Sequence, residues 1–228
     1  MKQTPSPNFN DRAAGAAIAY LVLHYTGMRT AQDALVRMCD PTAQVSAHYM
    51  IDEDGSVYQL VDESRRAWHA GESFWRGETD LNSLSIGVEL VNKGHEFGYT
   101  PFPAVQIAGL KTLLNDIMAR HALPPEALLA HSDIAPLRKE DPGELFPWQE
   151  LATEGFGLWP MPTPEDRQSS TEADIITMLG NAGYDTRTPE SISASRTAFL
   201  RRYHPERLGF GFDNETTARL RAQLRVMR

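Results

Sequence analysis

Cysteine is almost missing from this chain, with Cys39 alone among 228 residues. A single thiol forms no intrachain disulfide and cannot build a cysteine-rich structural zinc cage, so both devices are excluded. Also missing is any apolar run near the roughly 20 residues that carry a helix across a bilayer, so no membrane span is expected. The opening MKQTPSPNFNDRAAGAA has neither an apolar leader core nor a lipid-attachment cysteine. A cytoplasmic location is the expectation from this, with periplasm or outer membrane as the alternative if an export signal precedes it. Positive charge is scarce as well: 22 Lys and Arg stand against 30 Asp and Glu, a net charge of -8. That balance argues against a nucleic-acid partner, because phosphate neutralisation needs clustered basic residues.

What is present reads as an ordinary globular chain, 41% hydrophobic and long enough to bury a full core. Its charge is unevenly spread. Residues 171–228 hold 9 Arg, no Lys and 7 acidic residues, a balance of +2 that leaves -10 for the first 170. The segment WPMPTPEDRQSS, Trp159 to Ser170, interrupts any periodic pattern with three prolines. A large unit over 1–160, a linker over 161–170 and a small unit over 171–228 follow from these two observations.

In the large unit, AYLVLHY (Ala19 to Tyr25) is the short apolar run of a buried strand and delivers His24 near its end. Ser46 to Ile51 and Ser56 to Val61 flank Asp52-Glu53-Asp54-Gly55 and read as a hairpin. SIGVELV, Ser85 to Val91, is a third apolar run with one carboxylate, Glu89, inside it. Val105, Ile107, Leu110, Leu113, Leu114, Ile117 and Met118 recur at helical spacing, which predicts a helix with this stripe turned inward. Leu128 to Ala130 reads as a short buried strand ending at His131. The class is α/β, a central mixed sheet flanked by helices. The small unit reads as three helices, Glu172 to Asn181, Ser193 to Tyr203 and Asn214 to Met227, with Ser193 and Asp213 as N-caps.

Three residues with metal-binding side chains stand where a strand or loop turns: His24, His131 and Asp141. Two imidazoles and a carboxylate suit a catalytic zinc, which takes three protein donors and keeps a position for water. Spacing alone does not select this trio from seven histidines. Each residue also has a plainer reading: a hydrogen-bonded core histidine, a salt-bridged Glu89, a surface Lys139, an Asp141 that starts an Asp-Pro-Gly turn.

Local sequence does select it. LVLHYT, VSAHYMIDEDGSVYQLV, AWHAG, SIGVELVN, LLAHSDIAP and RKEDPGELFPW occur in this order. Together they resemble the type 2 N-acetylmuramoyl-L-alanine amidases, bacterial zinc enzymes that share a fold with the peptidoglycan recognition proteins, over roughly residues 8–160. The resemblance implies zinc held by His24, His131 and Asp141, with Glu89 and Lys139 as catalytic residues. It implies cleavage of the amide between the lactyl group of N-acetylmuramic acid and L-alanine in muropeptides, with or without a 1,6-anhydro sugar. The alternative is a recognition protein that binds such fragments without cutting them. His48, Trp68, His69 and Asn92 lie inside the matched segments and are candidate substrate contacts. AFLRRYHPERLGFGFDNETTARL resembles the small helical peptidoglycan-binding domains that accompany envelope amidases.

Overall fold

A computed structural model describes residues 1–227, so Arg228, the last residue of the expected small unit, lies outside the described residues. In chain order the elements are β1 (Lys2–Gln3), β2 (Phe9–Asp11), β3 (Tyr20–Tyr25), α1 (Ala31–Cys39), β4 (Tyr49–Ile51), β5 (Val57–Gln59), β6 (Arg65–Ala67), α2 (Leu81–Leu84) and β7 (Ser85–Leu90). They continue with α3 (Gly94–Phe97), α4 (Ala104–His121), β8 (Leu128–Ala130), α5 (His131–Ile134), α6 (Trp148–Thr153), α7 (Glu172–Ala182), α8 (Pro189–Tyr203) and α9 (Asn214–Val226). Six strands form one mixed sheet in the order β1-β5-β4-β7-β3-β8, in which β4 and β5 are antiparallel and the remaining neighbours parallel. Strands β2 and β6 pair separately as an antiparallel ribbon. No described helix is long and apolar enough to cross a membrane.

Alternation along the strands divides the sheet into two faces. Leu21 and Leu23 of β3, Ile86, Val88 and Leu90 of β7, and Tyr49 and Ile51 of β4 share one cluster with the inward stripe of α4, from Ile107 to Met118. Each fully buried Leu or Ile there contributes on the order of 1.5–3 kcal/mol relative to exposure. The stripe differs from the expected one at its start, since Val105 is exposed and Gln106 is fully buried. Gln106 turns inward because its Nε2 donates to the carbonyls of Ile51 and Val91, each at 3.0 Å, satisfying acceptors where those strands end. The β4–β5 hairpin closes through Gly55, whose φ of +81° and close approach to the Val105 carbonyl leave no room for a side chain.

The opposite face is covered in two places. Over β4, α1 buries Ala34 and Met38 with Met50, Leu60, Val61 and Val91. Over β3 and β8 lie the C-terminal helices, whose Leu179, Tyr184, Phe199, Tyr203 and Leu220 form one apolar cluster with Val22, Leu81, Leu129 and Ile134. The expected linker is anchored: Arg221 donates to the carbonyls of Asp166 and Ser169, at 2.8 and 3.1 Å. Helix α8 begins four residues earlier than the sequence reading placed it. Thr188, whose hydroxyl accepts from the Ser191 amide at 3.1 Å, caps it, and Pro189 fits the first turn, where no amide hydrogen is needed.

Candidate active site

Between the two coverings the second face of the sheet stays open as a cleft of about 1070 Å³. Asp33 and Arg37 of α1 line one wall, and Ala194, Thr197 and Arg201 of α8 line the other. The floor comes from the strands. Parallel pairing sets His24 of β3 directly beside Glu89 of β7, so both side chains leave the same face. Leu23 pairs with Ala130, which brings His131, the next residue after β8, alongside His24. Asp141 arrives on the returning loop, whose carbonyl accepts from the Ser132 amide at 2.9 Å.

Here the structure brings together residues that lie 107 and 117 positions apart. His24 Nδ1 is 2.8 Å from His131 Nδ1 and 3.1 Å from Asp141 Oδ2, and His131 Nδ1 is 2.9 Å from the same oxygen. All three residues are buried. Which way the imidazoles carry their hydrogens follows from fixed ends of the network. His131 Nε2 faces the Ala70 carbonyl at 3.2 Å, which only accepts, so Nε2 bears the hydrogen and Nδ1 a bare lone pair. For His24 the chain is longer. Ser85 donates to the Leu81 carbonyl and therefore accepts from His69 Nε2 at 3.3 Å. His69 Nδ1 is then an acceptor, taking the hydrogen of His24 Nε2 at 3.1 Å. Three lone pairs thus converge with no hydrogen between them, a repulsive arrangement that a cation relieves. This donor set fits a metal ion, with hydrogen-bonded outer nitrogens of the kind that orient ligating histidines.

Electrostatics point the same way. Burial, then the facing His131, pushes His24 down to about 4, with Asp141 opposing, so the ring is neutral at pH 7. Glu89 goes the other way. Burial, then the neighbouring Asp141 charge, pushes it up to about 8 against a smaller pull from Lys139. Its Oε2 is sealed from solvent and has no hydrogen-bond partner. A carboxyl that keeps its proton near neutrality beside a metal-competent cluster is the pattern of a general acid or base. Lys139 lines the same cleft.

The four candidate substrate contacts separate. His69 lines the cleft, but both its ring nitrogens are committed to the His24–Ser85 chain. Gly87 makes room for it, since a Cβ there would stand 2.4 Å from the imidazole. His48 is fully buried and braces the sheet: its Nδ1 accepts from the Gly87 amide and its Nε2 donates to the Arg65 carbonyl, at 3.0 and 3.1 Å. Trp68 gives its indole hydrogen to Asn10, and Asn92 binds the Thr100 carbonyl and the Gly94 amide. None of these three is among the residues lining the cleft. Sequence reasoning passed over Arg201 of α8, Arg138 and the α1 residues on the walls, because nothing in the local text ties them to distant strands.

Sheet, cleft and donor set define the class: a mixed α/β protein with a three-donor, metal-competent cluster on the floor of an open groove. The family described as N-acetylmuramoyl-L-alanine amidase matches residues 14–144. The chain belongs to this family. It is 38% identical over 235 residues to N-acetylmuramoyl-L-alanine amidase AmiD of Escherichia coli strain K12, covering 91% of this chain and 82% of that protein. To 1,6-anhydro-N-acetylmuramyl-L-alanine amidase AmpD of Haemophilus influenzae it is 32% identical over 166 residues, 65% of this chain and 88% of that one. The solved complex of Escherichia coli AmiD with anhydro-N-acetylmuramic acid-L-Ala-D-gamma-Glu-L-Lys superposes with a TM-score of 0.83 at 36% identity, covering 94% of this chain and 92% of the other.

Proposed function

We propose that this protein is a zinc-dependent amidase that hydrolyses the bond between the lactyl group of N-acetylmuramic acid and the L-alanine of the stem peptide. The convergence of His24 Nδ1, His131 Nδ1 and Asp141 Oδ2 beside Glu89 carries the reading. Zinc arms of about 2.0–2.1 Å in tetrahedral geometry keep donors roughly 3.3 Å apart, close to the separations of this cluster. Two neutral imidazoles and one carboxylate match the three-donor sets of zinc hydrolases, which leave a position for water. Bound there, zinc would supply a Lewis acid that acidifies water and polarises the scissile carbonyl.

The chain's own residues would do the proton work. Glu89, which lines the cleft, takes the proton from the attacking water and delivers it to the nitrogen of the departing L-alanine. Lys139 sets a positive charge where negative charge grows on the carbonyl oxygen. The groove of about 1070 Å³ between α1 and α8 has room for a glycopeptide, and the relative AmiD is named in complex with an anhydromuropeptide. Muropeptides carrying the 1,6-anhydro sugar are the proposed substrates on that support.

Mass spectrometry of a muropeptide mixture, with and without a chelator, tests bond, metal and substrate together. Release of free L-alanine-headed peptides that stops on chelation and returns with zinc is the expected result. Muropeptides bound but left intact after long incubation with zinc would turn the reading to a recognition protein.

A further inference from the structure

The segment that carries His131 is held from the far end of the chain. Asp133, two residues beyond His131, is fully buried, and so is Arg202 of α8. Arg202 Nη1 donates to Asp133 Oδ2, which also accepts the Ala130 amide at 2.9 Å, and Tyr184 donates its hydroxyl to Asp133 Oδ1 at 2.8 Å. The other arm of the fork, Arg202 Nη2, donates to the Leu128 carbonyl at 2.9 Å. One guanidinium therefore grips both sides of the turn from β8 into α5, at Leu128 and at Asp133, with His131 between them. The guanidinium itself lies 4.0 Å above the Trp148 ring, which leaves the fork little freedom to swing.

We propose that Arg202, assisted by Tyr184, is a positioning residue for His131, so that the C-terminal helices complete the catalytic site as well as covering the sheet. The inference rests on the reading of His131 as a metal donor. A buried charge pair is weak evidence for stability, since apolar residues of like shape often do as well. Its worth here is geometric. A planar fork holds two separated acceptors in fixed directions, whereas a lysine reaches acceptors only from one freely rotating nitrogen and an apolar side chain reaches none. His131 sits on a four-residue helix, too short to hold a direction by itself, and its ring is aimed by whatever fixes that turn.

The test uses the full-length chain and zinc alone. Zinc affinity is measured by competition with a chromophoric chelator, and cobalt substitution reports coordination geometry by its visible spectrum. Arg202→Met is expected to weaken zinc by about 10–100-fold, the range for partners that orient metal ligands. Tyr184→Phe should weaken it by a smaller factor with a visible shift in the cobalt bands, and Arg202→Lys should restore only part of the loss. Arg225→Met, which removes an ion pair with Asp166 away from this turn, should lower thermal stability and leave zinc affinity alone. If Arg202→Met does not fold, Tyr184→Phe and Arg202→Lys decide. Folded variants that lose thermal stability but keep wild-type zinc affinity and cobalt spectrum would overturn the proposal. A wild-type chain that binds no zinc would instead overturn the metal reading itself, and the proposal with it.

Discussion

Glu89 sets function against stability at a single side chain. Its folded value near 8 lies above the ordinary 4.5, so the metal-free folded chain keeps a proton that the unfolded chain has released. By linkage, the stability Glu89 lends is fully present below about pH 4.5 and is lost as pH rises through 8. Glu89→Gln removes that dependence. Urea midpoints of chelator-treated protein should show wild type falling relative to the variant between pH 5 and 8.5, and parallel curves would contradict the assignment. With zinc present, the same substitution should lower kcat by about 10²–10⁴-fold while zinc stoichiometry stays unchanged. At this scale, residue types and neighbouring text were informative: His24, Glu89, His131, Lys139 and Asp141 could be named from short segments. Hydrogen-bond direction could not. The commitment of His69 to His24 and of His48 to Gly87 depends on pairings between strands that no local window contains.

Elements were legible where periodicity was strong and less so where caps decide. Helix α4 and strands β3, β7 and β8 stand close to where their apolar patterns predict, because each buries a face against the same cluster. Helix α1 and the short strands β2 and β6 escaped, being too brief or too polar to repeat a pattern. Serine-rich text hid the start of α8, where Thr188 and Ser193 are equally good capping types and only the Thr188 contact to Ser191 tells them apart. One helix end is open to improvement. Ala122, after α4, adopts a left-handed conformation with φ of +51°, which an alanine resists by roughly 1 kcal/mol. Ala122→Gly relieves that strain and gives back part of it by loosening the unfolded chain. A net gain of about 0.5 kcal/mol, read as a higher denaturation midpoint, is expected, and a lower midpoint would count against the strain.

For the whole molecule, the charge asymmetry and proline-rich connector suggest two units, and the apolar cluster under the C-terminal helices draws Val22, Trp75, Leu81, Leu129 and Ile134 from one and Leu179, Phe199 and Leu220 from the other. Composition marks where a chain changes character, and it carries no information about which surfaces then meet. The full chain is expected to unfold in one calorimetric transition. A chain ending at residue 160 should leave that apolar surface bare and aggregate or melt without cooperativity. Two resolved transitions, one of them reproduced by the shortened chain, would show that the units fold independently.

The groove takes one wall from α1, near the start of the chain, and the other from α8, near its end. The candidate metal donors His24, His131 and Asp141 are all translated before α8, which supplies the second wall and Arg202. A product cut short before α8 therefore carries the three candidate donors without that wall, and under the proposed role of Arg202 it is expected to bind zinc more weakly than the whole chain.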